Sequence, residues 1–191
     1  MLDTRFFRSP LVKDRQTATL GPYRENIFPS ATILGEDQWA WLAVQLKTPA
    51  QVRIIVSSIQ VLAQHNGWEG WSNYPAELDR LQNLLSESHA SGVIFLSGDR
   101  HFAEMSQIDM QDFYPLIDIT SSGLNRRYPV PVPSTNANRI DGYYLGYNFG
   151  FIEIDWAIAD PAIRVTIVDA KGVPVLSHEM SLSQLSLRQD P

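Results

Sequence analysis

The sequence predicts an α/β fold in the first half of the chain and a mostly β fold in the second half, within one domain. Two short apolar segments, "VRIIVSS" at 52–58 and "VIFLS" at 93–97, flank a segment whose leucines recur at helical spacing. A strand, a helix and a strand in that order, with both strands continuously apolar, indicate a βαβ unit in a sheet covered by helices. After residue 114, segments that alternate apolar and polar residues between turn formers predict antiparallel strands.

Length and composition agree with one domain and exclude several classes of function. A chain of 191 residues, with 44% hydrophobic and 19% charged residues, is typical of a globular domain. The formal net charge of −6 offers no bulk basic surface to a nucleic-acid backbone, so nucleic acid is not an expected partner. Because the chain contains no cysteine, disulfides, thiolate nucleophiles and cysteine-bound zinc are excluded.

The sequence predicts neither a membrane span nor an export signal. No apolar run reaches the roughly 18 residues of a membrane span, and the first ten residues lack the apolar core of a signal peptide. As written, the chain is therefore expected in the cytoplasm.

Two helices are predicted in the first half. Residues 1–33 are expected to form loop with at most a short strand at the start, because prolines punctuate them. The segment "GEDQWAWLAVQLK" predicts a helix over residues 36–47, since its acidic start and its closing lysine suit the helix dipole. The segment "NYPAELDRLQNLLSESH" predicts the more regular helix, with Asn73 as a candidate cap and Pro75 in the first turn.

Four strands are predicted in the second half. They correspond to "YPLIDITSS", "FGFIEIDW", "AIRVTIVD" and "VPVLSHEMSL", and the tight "DAKG" at 169–172 predicts a hairpin between the last two. Residues 124–146 show no periodicity and are expected to form a long, ordered or partly mobile loop.

The end of the predicted strand at 93–97 carries the candidate chemistry. Gly98 allows the backbone to bend, and Asp99 and His101 can then face one ligand at the sheet edge where ligands collect in such folds. A carboxylate and a neutral imidazole suit a hard or borderline cation. The same residues also fit a buried strand followed by a polar turn, with Asp99 capping the next segment, and the motif alone leaves both interpretations open.

Two further segments are expected at the same sheet edge. "TSSGLN" at 120–125 follows another predicted strand and can form a second loop of the site. "NGWEGWSNYP" at 66–75 places Trp68 and Glu69 in a loop near Asp99, although its tryptophans can equally serve only to cover the sheet.

The other histidines fit structural positions better than a site. His65 lies beside the tryptophan loop and fits an exposed loop position, and His89 ends the long helix, where a cation complements the dipole. His178 shares a strand face with apolar residues and is expected to be packed or satisfied by a partner. No P-loop, G-x-G-x-x-G, H-E-x-x-H or serine nucleophile elbow is present.

Seven segments in order resemble the C-terminal half of the alkaline phosphatase D (PhoD-like) family. They are "MLDTRFFRSP", "LGEDQWAWLAVQL", "VRIIVSSIQ", "EGWSNYPAELDRL", "GVIFLSGDRHFAE", "YPLIDITSSGLN" and "NFGFIEID", and they extend from Asp3 to about Asp155. The resemblance implies an α/β metallophosphoesterase-type (calcineurin-like) β-sandwich flanked by helices, an α/β/β/α arrangement that is incomplete here. Residues 1–191 would be the C-terminal part of such a domain.

The resemblance also implies metal-dependent hydrolysis of phosphate monoesters and diesters, usually with iron and calcium. The family's GDxH motif supplies metal ligands, and "GDRH" matches it at Asp99 and His101. Arg100 and Asn125 lie in matched motifs close to the site, and the resemblance implies a supporting role for them toward the substrate or the ligands.

Family members carry an N-terminal metal-binding half before the "DTR" segment, and no such half precedes it here. We therefore expect Met1 to lie inside what was, or is elsewhere, a longer protein, and activity to require that half in trans. The alternative is a non-catalytic relic or binding module that kept the scaffold. Full-length relatives are often exported, which leaves the compartment open.

A missing sheet has a consequence for packing. It would uncover the inner face of strands such as 93–96, and the exposed apolar surface predicts self-association or poor solubility.

Overall fold

In a computed structural model of the chain, residues 1–14, 21–64, 67–127 and 136–187 are described, and their strands form three sheets. The helices are α1, Gly35–Leu46, and α2, Pro75–Ser88. The strands in chain order are β1 Val12–Lys13, β2 Tyr23–Arg24, β3 Arg53–Val56, β4 Val93–Ser97, β5 Ala103–Ile108, β6 Leu116–Ser121, β7 Arg139–Tyr144, β8 Asn148–Asp155, β9 Ala162–Asp169 and β10 Pro174–Ser181.

The central sheet has five strands in the order β3-β4-β6-β5-β7. The predicted βαβ unit is confirmed, because β3 and β4 pair in parallel with Ile55 opposite Phe95, and α2 lies between them in the chain. β6 adds to β4 in parallel, whereas β5 and β7 join in antiparallel orientation. The carboxyl ends of β3, β4 and β6 therefore meet at one edge of this sheet.

Two strands of the central sheet were not predicted. β5 contains Glu104 and Ser106, whose polar side chains hide the strand pattern although both are buried. β7 lies inside the segment expected to be a loop, so that prediction is wrong for residues 139–144. The part of the predicted loop at 128–135 lies outside the described residues.

Both predicted helices are confirmed. α1 begins and ends within one residue of the expected bounds and buries Trp39, Leu42 and Leu46. α2 begins at Pro75 with Tyr74 as its N-cap residue, so the expectation for Asn73 is wrong. Asn73 instead ends a short 3-10 turn, where its Oδ1 accepts a hydrogen bond from the Gly70 N–H at 2.9 Å.

The second sheet is antiparallel, with the strand order β10-β9-β8, and the predicted hairpin between β9 and β10 is confirmed. It packs over one face of the central sheet, where Ile152 and Val165 line a common cavity with Leu96 and Ile119. The fold is a β-sandwich with flanking helices, as the resemblance implied.

The expectation that strand 93–96 loses its cover is wrong. Val93, Ile94 and Phe95 are fully buried, so the strand is covered on both faces. On one of them, Leu96 lines a cavity together with Ile152 and Val165 of the three-stranded sheet. The edge strand β3 is less well covered, since Ile54, which pairs with Ile94, is 47% exposed. Within the described ranges, no helix is both long and apolar enough to cross a lipid bilayer.

Of the three histidines outside the candidate motif, the structure describes two, His178 and His89. His178 Nδ1 lies 3.0 Å from Asp141 Oδ2, which confirms a histidine satisfied by a partner. His89 follows α2 in a left-handed conformation, with φ of 50°. His65 lies outside the described residues.

Candidate functional site

The candidate site is the turn Gly98–His101, which follows β4 at the carboxyl edge of the central sheet. Its bend does not come from Gly98, as the sequence suggested, but from Asp99 and His101, whose φ angles are 71° and 59°. Non-glycine residues rarely adopt this left-handed region, although aspartate and histidine tolerate it better than most. A Cβ atom at Gly98 would lie 3.6 Å from the Cβ of Ser122, an ordinary contact.

The N-terminal segment reaches this turn. Leu2 forms a parallel bridge with Ser57, just beyond β3, and this brings the following residues to the same sheet edge. The Nη2 atom of Arg5 lies 3.5 Å from Oδ1 of Asp99. Asp3 holds Arg5 in place, because its Oδ1 accepts the Arg5 N–H at 2.8 Å, and this backbone hydrogen bond and that from Phe6 lower the pKa of Asp3.

The described part of the tryptophan loop, residues 67–75, combines the two roles that its sequence left open. Glu69 faces the site and forms ion pairs with both Arg5 and Arg8, whereas Trp71 is fully buried and donates its indole N–H to Ser57 Oγ at 3.2 Å. The site therefore contains an acidic pair, Asp99 and Glu69, bridged by the exposed guanidinium of Arg5. Sequence reasoning missed Arg5, whose only signal was its place in the "DTR" segment.

The segment after β6 also reaches the turn. Ser122 Oγ accepts a hydrogen bond from the His101 N–H at 2.9 Å. Asn125, predicted to support the site, is exposed, and no hydrogen bond joins it to the turn within the described ranges.

Arg100 occupies a packed position in the middle of the turn. The residue is only 6% exposed, and its guanidinium carbon lies 5.4 Å from the ring centroid of Phe102 and 5.9 Å from that of Trp68. These cation–π contacts fix the side chain against the protein. A contact between Arg100 and substrate stays a prediction.

Asp99 and His101 have suitable donor atoms for a metal ion, but the described residues do not complete a metal site. Within the described ranges, no group of three or more His, Cys, Asp or Glu side chains is arranged to hold an ion. Known protein sites for catalytic metals use at least three protein ligands or several carboxylate oxygens. The described residues therefore do not by themselves fit the ions that the resemblance implies.

A buried polar layer lies beneath the turn, and sequence reasoning missed it. Ser97 and Thr120 share a hydrogen bond of 2.8 Å, and Glu104 accepts hydrogen bonds from Gln60 and Arg139, each at 2.6 Å. The only sequence signal for this layer is polar residues placed between apolar ones in strands, which are easily taken for solvent-facing positions.

Asp118 is the most buried carboxylate of this layer. Its Oδ2 accepts the N–H groups of Val61 and Leu62 at 2.7 and 3.0 Å, which ties the segment after β3 to β6. Burial raises the pKa of Asp118 to about 6, although these backbone hydrogen bonds and Ser97 oppose the shift.

The family model for PhoD-like phosphatases matches residues 1–156, a range that contains the whole candidate site. The chain belongs to the PhoD-like phosphatase family.

Two known proteins are similar to the chain. Alkaline phosphatase D of Bacillus subtilis (strain 168) is 26% identical over 117 residues, which make up 56% of this chain and 20% of that protein. A solved structure of PhoD superposes with a TM-score of 0.68 at 17% identity, and the match covers 98% of this chain and 40% of that one. The structural likeness shows the fold, and the chain spans less than half the length of either relative.

Proposed function

We propose that this chain takes part in metal-dependent hydrolysis of phosphate esters, of the alkaline phosphatase or phosphodiesterase type. The observation that carries the proposal is the turn at 98–101, which presents Asp99 and His101 together at the carboxyl edge of the central sheet. This turn lies inside the range that matches the PhoD-like family. Asp99 and His101 would serve as metal ligands, for ions that the family resemblance suggests are iron and calcium.

The remaining ligands are proposed to come from the N-terminal half of a PhoD-like protein, which the experiment below supplies in trans. Two facts support this. The described residues bring together no group of three ligands, and the match covers only 40% of the solved PhoD chain.

Arg5 is proposed to contact the phosphate group of the substrate. Its side chain is 47% exposed and lies between the carboxylates of Glu69 and Asp99. A guanidinium offers a planar fork of donors that matches two phosphate oxygens. Arg100 and Asn125 keep the supporting roles that their motifs suggest.

The test is hydrolysis of p-nitrophenyl phosphate by the purified chain, alone and mixed with the N-terminal half of a PhoD-like phosphatase in the presence of iron and calcium. We expect negligible turnover by the chain alone and turnover by the mixture. Asp99→Ala should abolish turnover of the mixture. The matched control is Asp112→Ala, because Asp112 has a similar φ of 56° and is exposed outside the site.

The alternative is a non-catalytic relic or binding module. Both interpretations account for the lack of a ligand group of three within the described ranges, and the mixing experiment separates them. Strong hydrolysis by the chain alone would contradict the need for a second half. Failure of every mixture, together with no reading frame for an N-terminal half upstream in the source DNA, would support the relic.

Self-association is also proposed, because apolar side chains stay exposed on two edge strands. They are Ile54 on β3 and Phe149 and Phe151 on β8. Exposed apolar edge strands favour pairing with other chains. Sedimentation velocity over a range of concentrations measures this, and a monomer at every concentration contradicts it.

A further inference from the structure

We infer that Ser122 is a positioning residue that holds His101 in the left-handed conformation and so directs its imidazole at the site. The inference rests on the proposed function for the role of the imidazole, but not for the conformation itself. It begins from the two positive φ angles of Asp99 and His101 in one turn of four residues. Such conformations persist only where the surrounding structure enforces them.

Ser122 makes the hydrogen bonds that enforce this turn. Its Oγ accepts the His101 N–H at 2.9 Å and donates to the Phe102 carbonyl at 3.3 Å. Its own N–H donates to the same carbonyl at 3.2 Å. One serine therefore binds the peptide groups at the two ends of the segment His101–Phe102, and its hydroxyl supplies two of the three hydrogen bonds.

Ser122 also lies near the beginning of the turn, because a Cβ atom built at Gly98 would lie 3.6 Å from the Ser122 Cβ. The serine therefore lies beside the turn close to both Gly98 and His101.

Ser122 is itself held by its neighbours. Ser121 Oγ donates to Asn148 Oδ1 at 3.0 Å, and the Asn148 N–H donates to the Gly123 carbonyl at 3.2 Å. Asn148 is buried and is the first residue of β8. The second sheet of the sandwich therefore anchors the segment that fixes the turn on the first sheet.

Ser122 does not need to touch substrate or metal for this role. The distinction between a hydroxyl that sets a conformation and a side chain that only fills space can be tested by substitution. Ser122→Ala removes the hydroxyl, whereas Ser122→Thr keeps it. Ser106→Ala is the matched control, because Ser106 is a buried serine on β5 whose hydroxyl accepts an N–H, from Asn136 at 2.9 Å.

The experiment measures amide hydrogen exchange and backbone ¹³C shifts of His101 by NMR on the full chain. Ser122→Ala should raise the exchange rate of the His101 amide at least tenfold and move its shifts away from left-handed values. Ser122→Thr and Ser106→Ala should stay within threefold of the wild-type rate. If Ser122→Ala stays within threefold as well, or if Thr fails to rescue a protein that remains folded, the inference is overturned.

A second readout separates this inference from the proposed function. In the mixture assay with p-nitrophenyl phosphate, Ser122→Ala should lower kcat at least tenfold with KM changed less than twofold, and Ser122→Thr should recover it. If the wild-type mixture shows no turnover, the proposed function fails, while the exchange result still decides whether Ser122 holds the turn. If turnover exists and Ser122→Ala leaves kcat unchanged, the positioning role is wrong.

Discussion

The indole Nε1 of Trp39 donates to both carboxylate oxygens of Glu77, at 3.0 and 2.9 Å, and thereby joins α1 to α2 inside the protein. The same carboxylate accepts the Ile33 N–H at 2.7 Å and the Thr32 hydroxyl at 2.8 Å. Glu77 is only 4% exposed, although glutamate usually lies on the solvent face of an amphipathic helix. Its buried carboxylate anchors the segment that precedes α1.

Replacement of Glu77 by alanine should destabilise the fold by about 3 kcal/mol or more. Each buried donor left without a partner costs about 1–3 kcal/mol, and this variant leaves several. Urea unfolding followed by tryptophan fluorescence measures the loss. The control is Glu36→Ala, which breaks an exposed pair with Arg80 and should cost much less. Equal losses in the two variants would show that Glu77 does not anchor the helices.

Asp118 should make stability depend on pH. Its pKa is about 6 in the fold, compared with an ordinary value of 3.8, so the folded state binds more protons than the unfolded state between these values. The free energy of unfolding therefore falls as the pH rises from about 4 to 6 and is level above that range. Because one pKa unit corresponds to about 1.4 kcal/mol, the contribution of Asp118 is about 3 kcal/mol.

Asp118→Asn removes this titration while its side-chain oxygen can still accept a backbone N–H. The stability of the variant relative to wild type should rise by about 2 kcal/mol between pH 4 and pH 7. Urea midpoints at several pH values measure it, with Asp112→Asn as an exposed control that shows no such trend. A constant difference across this pH range would argue against a raised pKa for Asp118.

Asp99→Gly should be more stable than Asp99→Ala by about 1 kcal/mol. Glycine adopts a φ of 71° without the steric cost that alanine meets there. The order should reverse at Asp37, which lies in the first turn of α1, where glycine is less favourable than alanine by about 1 kcal/mol. Thermal unfolding of the four variants tests this, and the same order at both positions would contradict the left-handed conformation of Asp99.

Gly123→Ala should destabilise the protein by more than about 2 kcal/mol, because overpacking forces the backbone to move. A Cβ there would lie 2.1 Å from Asn148 Nδ2 and 2.8 Å from the Gly146 carbonyl oxygen. Gly98→Ala is the matched control, since its Cβ meets only ordinary contacts, and it should change stability by less than about 1 kcal/mol. Calorimetric melting temperatures of the two variants provide the comparison, and similar values would mean that Asn148 can move away from position 123.

Much of the local structure could be predicted from the sequence. The βαβ unit, both helices and the hairpin between β9 and β10 follow from periodicity and turn residues, which are properties of short segments. The motif "GDRH" also identified the turn that the structure places at the carboxyl edge of the central sheet. β5 was missed because a buried polar side chain and an exposed one look alike in a sequence. β7 was missed because Asp141 and Gly142, both with positive φ angles, interrupt its strand pattern.

The sequence by itself therefore determined the family, the order of the main elements and the position of Asp99 and His101 in the chain. Only the tertiary structure decided that Arg5 lies against Asp99, that Asp118 and Glu104 are buried beneath the turn, and that Ser122 binds the His101 backbone. These contacts join residues that are far apart in the chain. They are fixed by strand order and register, which depend on how distant segments pack and not on the pattern within any one of them.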